Sequence, residues 1–160
     1  MKLASFRHAG TASWGVVGEG VVHDVGAVLG GRLPDLKSAI AAGALDAARS
    51  AAADAPRIAL AGIEWLPVIP NPDKVFCVGL NYEEHRKETG REVVGNPTIF
   101  SRFANSHIGH LAPLIRPKVS TQLDYEGELA IIIGTSCRHV SRDDAFAQVA
   151  GYACYNDGSV

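Results

Sequence analysis

Glu126 and Glu128 stand at the head of an apolar run, Leu129-Ala130-Ile131-Ile132-Ile133, that Gly134 closes. The run reads as a buried strand. Strand side chains alternate faces, so Glu126, Glu128, Ala130 and Ile132 share one. Two carboxylates side by side at the mouth of a buried strand repel each other. A divalent cation removes that repulsion, and hard cations such as Mg²⁺ take carboxylate oxygens. The spacing also fits two solvated glutamates at a polar strand end. A third acid, Asp157, lies in Asn156-Asp157-Gly158-Ser159 after a second apolar stretch. Sheet pairing can bring it beside the first two. The same tetrapeptide is a strong turn signal, in which Asp157 is simply a turn residue.

A second constellation is His85 with Glu88, on the polar stretch Glu83 to Gly90. Asn81 is a plausible N-cap, Glu83 and Glu84 suit a first helical turn, and Gly90 suits its stop. Residues with that spacing share a helix face. A carboxylate beside an imidazole orients the ring and raises its basicity, as a general base requires. An exposed helical ion pair has the same spacing. Arg102, between Phe100 and Phe103, can hold an anionic substrate or be a surface cation with a stacked stem. His107 and His110 lack a third soft ligand, so zinc is not proposed.

The elements that must position these residues follow from the rest of the chain. At 160 residues there is enough for one sizeable core, or a small domain plus part of a larger one. A hydrophobic content of 47% with 20% charged residues is ordinary for a globular protein. The net charge of −2 gives no reason to expect nucleic acid or an anionic membrane as partner. Cys77, Cys137 and Cys154 form no CxxC pair and read as reduced cytoplasmic thiols. No signal peptide is read at the start, and no apolar run is long enough for a transmembrane helix.

Residues 2–8 read as a first strand, and Ser13 to Leu29 as short strands around a Gly18-Glu19-Gly20 turn. These glycines do not fit a dinucleotide loop. Pro34 and Asp35 open an alanine-rich helical stretch to about Ala53 that Gly43 divides. Ile58 to Leu60 begins another strand. Prolines 67, 70 and 72 exclude helix interior and central strand, which sets a boundary near residue 70. Lys74 to Gly79 reads as a buried strand and residues 91–117 as a loop. Ser141 caps a short helix, and Gln148 to Tyr155 is a last strand.

Taken together, residues 74–160 resemble the fumarylacetoacetate hydrolase family. The matching pieces are Cys77-Val78-Gly79-Leu80-Asn81-Tyr82 with His85 and Glu88, then Pro97 through Phe100 and Arg102. They continue through Asp124-Tyr125-Glu126-Gly127-Glu128-Leu129 to Gly134, Arg138, Gly151-Tyr152, Asn156-Asp157 and Ser159. The resemblance implies an α+β fold: a β-rich mixed sandwich roll, preceded by a small α+β N-terminal domain. Residues 1–70 would be that small domain and 71–160 the first part of the catalytic domain. It implies a divalent metal, Mg²⁺ or Mn²⁺ with Ca²⁺ as a further option, held by Glu126, Glu128 and Asp157. His85 and Glu88 would be the catalytic, water-activating pair, and Tyr82 and Arg102 would contact substrate.

The activity implied is metal-dependent hydrolysis of a C–C bond in a 2-oxo acid such as an acylpyruvate or fumarylpyruvate. The metal acts there as a Lewis acid for the developing enolate. Relatives of other outcome are isomerases or decarboxylases of aromatic-acid catabolism and oxaloacetate decarboxylases. A catalytically silent truncated domain is the alternative of another class. A cytoplasmic homodimer is expected, with no nucleic-acid or membrane partner. Two departures stand out. Arg102 replaces the lysine of many relatives, offering a planar fork in place of a point charge. The family pattern also continues past the position of Val160, so a truncated catalytic domain is expected.

Overall fold

Alternation along Leu3–His8 (β1) and Thr11–Val17 (β2) builds a hairpin, described here from a computed structural model covering residues 1–90, 92 and 95–160. Its loop is Ala9-Gly10, with φ of 47° and 82°, so His8 faces Thr11 in a tight two-residue turn. Val21–His23 (β3) adds to β2 after the Gly18–Gly20 turn, and Arg57–Ala59 (β4) adds to β3. Glu64–Trp65 (β5) pairs with the other edge of β1. The result is a five-stranded antiparallel sheet in the order β4-β3-β2-β1-β5.

Three short helices pack against it. Val25–Leu29 (α1) replaces the last part of the strand expected over 13–29. The cause is Asp24, whose carboxylate accepts the Ala27 N–H and the Ser13 hydroxyl, an N-cap the glycine-valine pattern conceals. Leu36–Ala41 (α2) starts at a capping box in which Asp35 and Ser38 bond each other's backbone. Gly43, at φ 64°, divides it from Leu45–Ala51 (α3). Trp14, Val25, Leu36, Ala39 and Ala48 form the buried core, and Trp14 satisfies its indole N–H on Leu33 O at 2.9 Å.

The chain divides into two units, Met1–Ile69 with Ile108–Val160, and Pro70–His107. The first break falls in the proline-rich segment; the second groups residues 108–160 with the N-terminal 69. In the smaller unit, Val75–Gly79 (β6) pairs antiparallel with Thr98–Arg102 (β7). Residues 98–102, read as loop, are therefore strand; Ile99 and Phe100 supply the β propensity. Of the predicted loop over 91–117, Arg91, Val93 and Val94 lie outside the described residues. Between the strands runs Glu83–Glu88 (α4). Its N-cap is Tyr82, without a side-chain bond, rather than Asn81.

In the larger unit, Gly127–Ile133 (β8) pairs antiparallel with Val149–Asn156 (β9). Neither β6 nor β8 is buried as expected. Leu129, Ile131 and Ile133 are 59%, 53% and 58% exposed, and Phe76 is 66% exposed. Each belongs to a two-stranded sheet, and one face of each sheet stays open. Ser141 caps a turn through Asp144 N, and the helical turn that follows is a 3₁₀ segment at Ala145–Gln148. The fold class is mixed α+β, and no helix among the described residues is long and apolar enough to cross a membrane.

Candidate active site

Strand register sets the three predicted metal-ligating acids on one face of the β8–β9 ladder. β8 and β9 pair from Ile132↔Gly151 down to Gly127↔Asn156. Beyond their ends, Asp124 and Ser159 form a bridge that exchanges both backbone bonds, at 2.9 and 3.2 Å. Two residues on each strand separate that bridge from Gly127↔Asn156, so the register continues and sets Glu126 opposite Asp157. The Asp157 N–H donates to Glu126 O at 2.9 Å. Asn156 to Ser159 is thus extended chain rather than the turn its composition signals, because the sheet partner at 124–126 captures its backbone groups.

Directly opposed residues of an antiparallel pair share a face, with Cβ atoms about 4.5–5.5 Å apart. Glu128 lies two residues along on the same face. Burial agrees: Asp157 is 5% exposed, Glu126 and Glu128 are half-buried, and the intervening Gly127 and Asn156 are exposed. Two further groups fix Glu126. Its N–H donates to Asn156 Oδ1 at 2.9 Å, and the Ser159 hydroxyl lies 3.3 Å from its Oε1. In the sequence, Asn156 and Ser159 read only as turn and motif residues; the signal for their roles is the register, which a single sequence does not display.

Among the described residues, no three His, Cys, Asp or Glu side chains converge closely enough to hold a metal ion. The backbone places Glu126, Glu128 and Asp157 on one patch, but their carboxylates must rotate to close on a common point. The donor chemistry fits a hard divalent cation: all three side chains offer oxygen, and none offers sulfur or imidazole.

The other predicted residues belong to the smaller unit. His85 and Glu88 lie on α4, where the spacing puts them on one face. Among the described residues no hydrogen bond or ion pair joins them. The ion pairs of α4 centre instead on Glu83, which takes two bonds of 2.8 Å from Arg86 and lies 3.5 Å from Lys87 Nζ. The Arg86 hydrogen bonds hold the Glu83 carboxyl below the usual carboxylate range. Tyr82 is the exposed N-cap residue, and Arg102 ends β7 half-buried, opposite Val75. Leu80, between β6 and α4, has φ 56°, a left-handed conformation that branched side chains rarely adopt. A recess of about 210 Å³ between Gly43, Leu45 and Asp46 and the far end of the β8–β9 hairpin contains none of these residues.

Comparison with known proteins adds to this geometry. The sequence model of the "Fumarylacetoacetate (FAA) hydrolase C-terminal" family matches residues 74–160. The rat "Oxaloacetate tautomerase Fahd2a, mitochondrial" is 41% identical over 113 residues, covering 71% of this chain and 36% of the rat protein. Its human counterpart, "Oxaloacetate tautomerase FAHD2A, mitochondrial", is 40% identical over the same length. The chain thus spans little more than a third of these curated relatives. Among solved structures, a maleylpyruvate hydrolase from Sphingobium sp. SYK-6, in complex with manganese(II) and pyruvate, superposes with a TM-score of 0.78 at 31% identity. That alignment covers 100% of this chain and 59% of the hydrolase.

Proposed function

The chain belongs to the fumarylacetoacetate (FAA) hydrolase family, and from that membership we propose that it serves a metal-dependent enzyme that cleaves a C–C bond in a 2-oxo acid. The substrate would be an acylpyruvate or fumarylpyruvate. The observation that carries this reading is the register that sets Glu126 opposite Asp157 with Glu128 on the same face. A manganese(II) and pyruvate complex of a similar structure supports both the cation and the 2-oxo acid class. Mg²⁺ or Mn²⁺ fits the all-oxygen donor set, and Ca²⁺ has the same ligand preference. When bound, the cation supplies a Lewis acid for the enolate charge that develops as the bond breaks.

The protein's own residues would do the rest. Arg102 presents a planar guanidinium suited to a substrate carboxylate. Tyr82, exposed at the start of α4, offers a phenolic hydroxyl as donor or acceptor. His85 would take a proton from water, and Glu88, on the same face of α4, would orient the imidazole after side-chain rotation. The full architecture proposed is a β-rich sandwich roll following a small N-terminal domain of residues 1–70. We place it in a cytoplasmic homodimer; among the described residues no disulfide joins Cys77, Cys137 or Cys154.

A second reading is isomerisation or decarboxylation, favoured by the rat and human relatives named oxaloacetate tautomerases. Both outcomes need an enolate, but only hydrolysis consumes an activated water. The test incubates the protein with Mn²⁺ and follows acylpyruvate, fumarylpyruvate and oxaloacetate by proton NMR. Pyruvate release from the first two supports the hydrolase. Keto–enol exchange or decarboxylation of oxaloacetate without acylpyruvate cleavage supports the second reading. No turnover of any of the three sinks both.

A further inference from the structure

The ladder between the strand carrying Glu126 and the strand carrying Asp157 has an irregularity at the acids themselves. In a regular antiparallel sheet, hydrogen-bonded and non-bonded pairs alternate, and a bonded pair exchanges two N–H···O bonds. Asp124↔Ser159 is such a pair, with both bonds formed. Two residues along, Glu126↔Asp157 should be the next. The Asp157 N–H does donate to Glu126 O. The return donation from the Glu126 N–H goes to the side chain of Asn156, at 2.9 Å.

We propose that Asn156 is a positioning residue for the carboxylate cluster, its Oδ1 standing in for the ladder bond that would otherwise tie Glu126 N–H to the Asp157 main chain. This rests on the metal-site reading above. The physical reasoning is geometric. A full two-bond pair would lock the Glu126 and Asp157 backbones at regular spacing. With one bond moved to a side chain, Glu126 keeps a satisfied N–H while the Asp157 backbone can set its own separation. The Cβ–Cβ distance between the two acids can then suit a shared ion rather than the sheet. Asn156 itself points away from the acids' face, at an exposed position, so it takes part in no coordination. Its amide oxygen suits this role, because an uncharged acceptor adds no repulsion to three nearby carboxylates. Ser159 completes the arrangement from the other side, its hydroxyl 3.3 Å from Glu126 Oε1, so Glu126 is held at both main chain and side chain. Partners of this kind typically set metal affinity by about 10–100-fold without touching the ion.

The test compares Asn156→Leu, of similar size with no acceptor, and Asn156→Asp, which keeps the acceptor. Mn²⁺ binding is read from loss of the free-ion EPR signal, and the Glu126 amide is read by hydrogen exchange. In Asn156→Leu, faster Glu126 exchange and a Mn²⁺ Kd about 10–100-fold weaker are expected. Asn156→Asp, which keeps the acceptor and adds a charge, should restore the exchange protection. A wild-type Kd in Asn156→Leu overturns the proposal, whatever happens to activity. Should Asn156→Leu not fold, Asn156→Asp decides by exchange: loss of Glu126 protection despite the retained acceptor overturns it. Wild-type protein and Glu128→Ala are run alongside. If wild type binds Mn²⁺ and Glu128→Ala does not, a failure at Asn156 belongs to this inference alone. If wild type binds none, the metal reading falls and takes this inference with it.

Discussion

Glu128 sits next along the strand from the Glu126–Asp157 pair, on the same half-buried face. Removing its carboxylate leaves only the Glu126 and Asp157 carboxylates to compete with the water shell of a hard cation. Glu128→Ala should therefore abolish Mn²⁺ binding in a calorimetric titration, and an unchanged affinity would refute its assignment. His85 and Glu88 pose a sharper choice, because no bond joins them as they stand. If they are only exposed neighbours on α4, their loss costs at most about 0.3–0.5 kcal/mol. If His85 is the general base, His85→Ala and Glu88→Ala each lower kcat by about 10²–10⁴-fold while the melting temperature holds. The double variant should then be little worse than either single one, since members of a catalytic unit are non-additive. Near-normal kcat in both single variants would return the pair to surface chemistry.

The short elements that carry these residues hold together through local side-chain bonds. In α4, Glu83 accepts both bonds of the Arg86 fork, and that hydrogen bonding holds its carboxyl below the usual carboxylate range. A depressed carboxylate stabilises the folded element above its unfolded pKa and loses that contribution as pH falls through the folded one. Amide protection factors within α4, taken relative to the intrinsic exchange rate at each pH, should accordingly be steady above the ordinary glutamate range and fall as the pH drops below it. Glu83→Gln should show little such pH dependence; an identical profile in the variant would discard the Arg86 pair as its source. In α2 the capping box makes Asp35→Ala costly by about 1 kcal/mol, readable as a lower urea midpoint at unchanged slope. Elements of this kind are legible where a local rule governs them. Gly43 divides α2 from α3, and the strands expected over 2–8 and 148–155 form as Leu3–His8 and Val149–Asn156. Misreading arises where a nonlocal partner decides. Thr98–Arg102 becomes strand because β6 lies beside it, and Asn156–Ser159 runs straight because Asp124 and Glu126 bind its backbone. The face shared by Glu126 and Glu128 follows from period-two alternation alone. Their pairing with Asp157 needs a register that composition does not encode.

At the scale of the chain, the same alternation explains why β8 reads as buried. Leu129, Ile131 and Ile133 face one way and Ala130 and Ile132 the other, so the run is apolar on both sides. Such a strand is buried only if both faces are covered. One face is half-buried; the other stays more than half exposed, and Tyr152, opposite Ile131, is 55% exposed beside it. A two-stranded sheet is marginal in water without a partner for its apolar face. Burying one isoleucine side chain contributes about 1.5–3 kcal/mol, so several together favour association strongly. A second copy, in the proposed homodimer, is one cover that fits this face; the relatives, of which this chain spans only part, are long enough to supply another from within the chain. Sedimentation velocity should then show a species heavier than the 16.9 kDa protomer. Ile131→Lys, on the open face, should shift it toward the protomer while leaving the circular dichroism spectrum unchanged, because a lysine there reaches water when the partner is absent. Ile132→Lys, on the half-buried face, should instead lower the melting temperature, because it sets a charge against the protein's own packing. A wild-type protein that sediments as a protomer at tens of micromolar, with an Ile131→Lys variant indistinguishable from it, would dismiss self-association through this face.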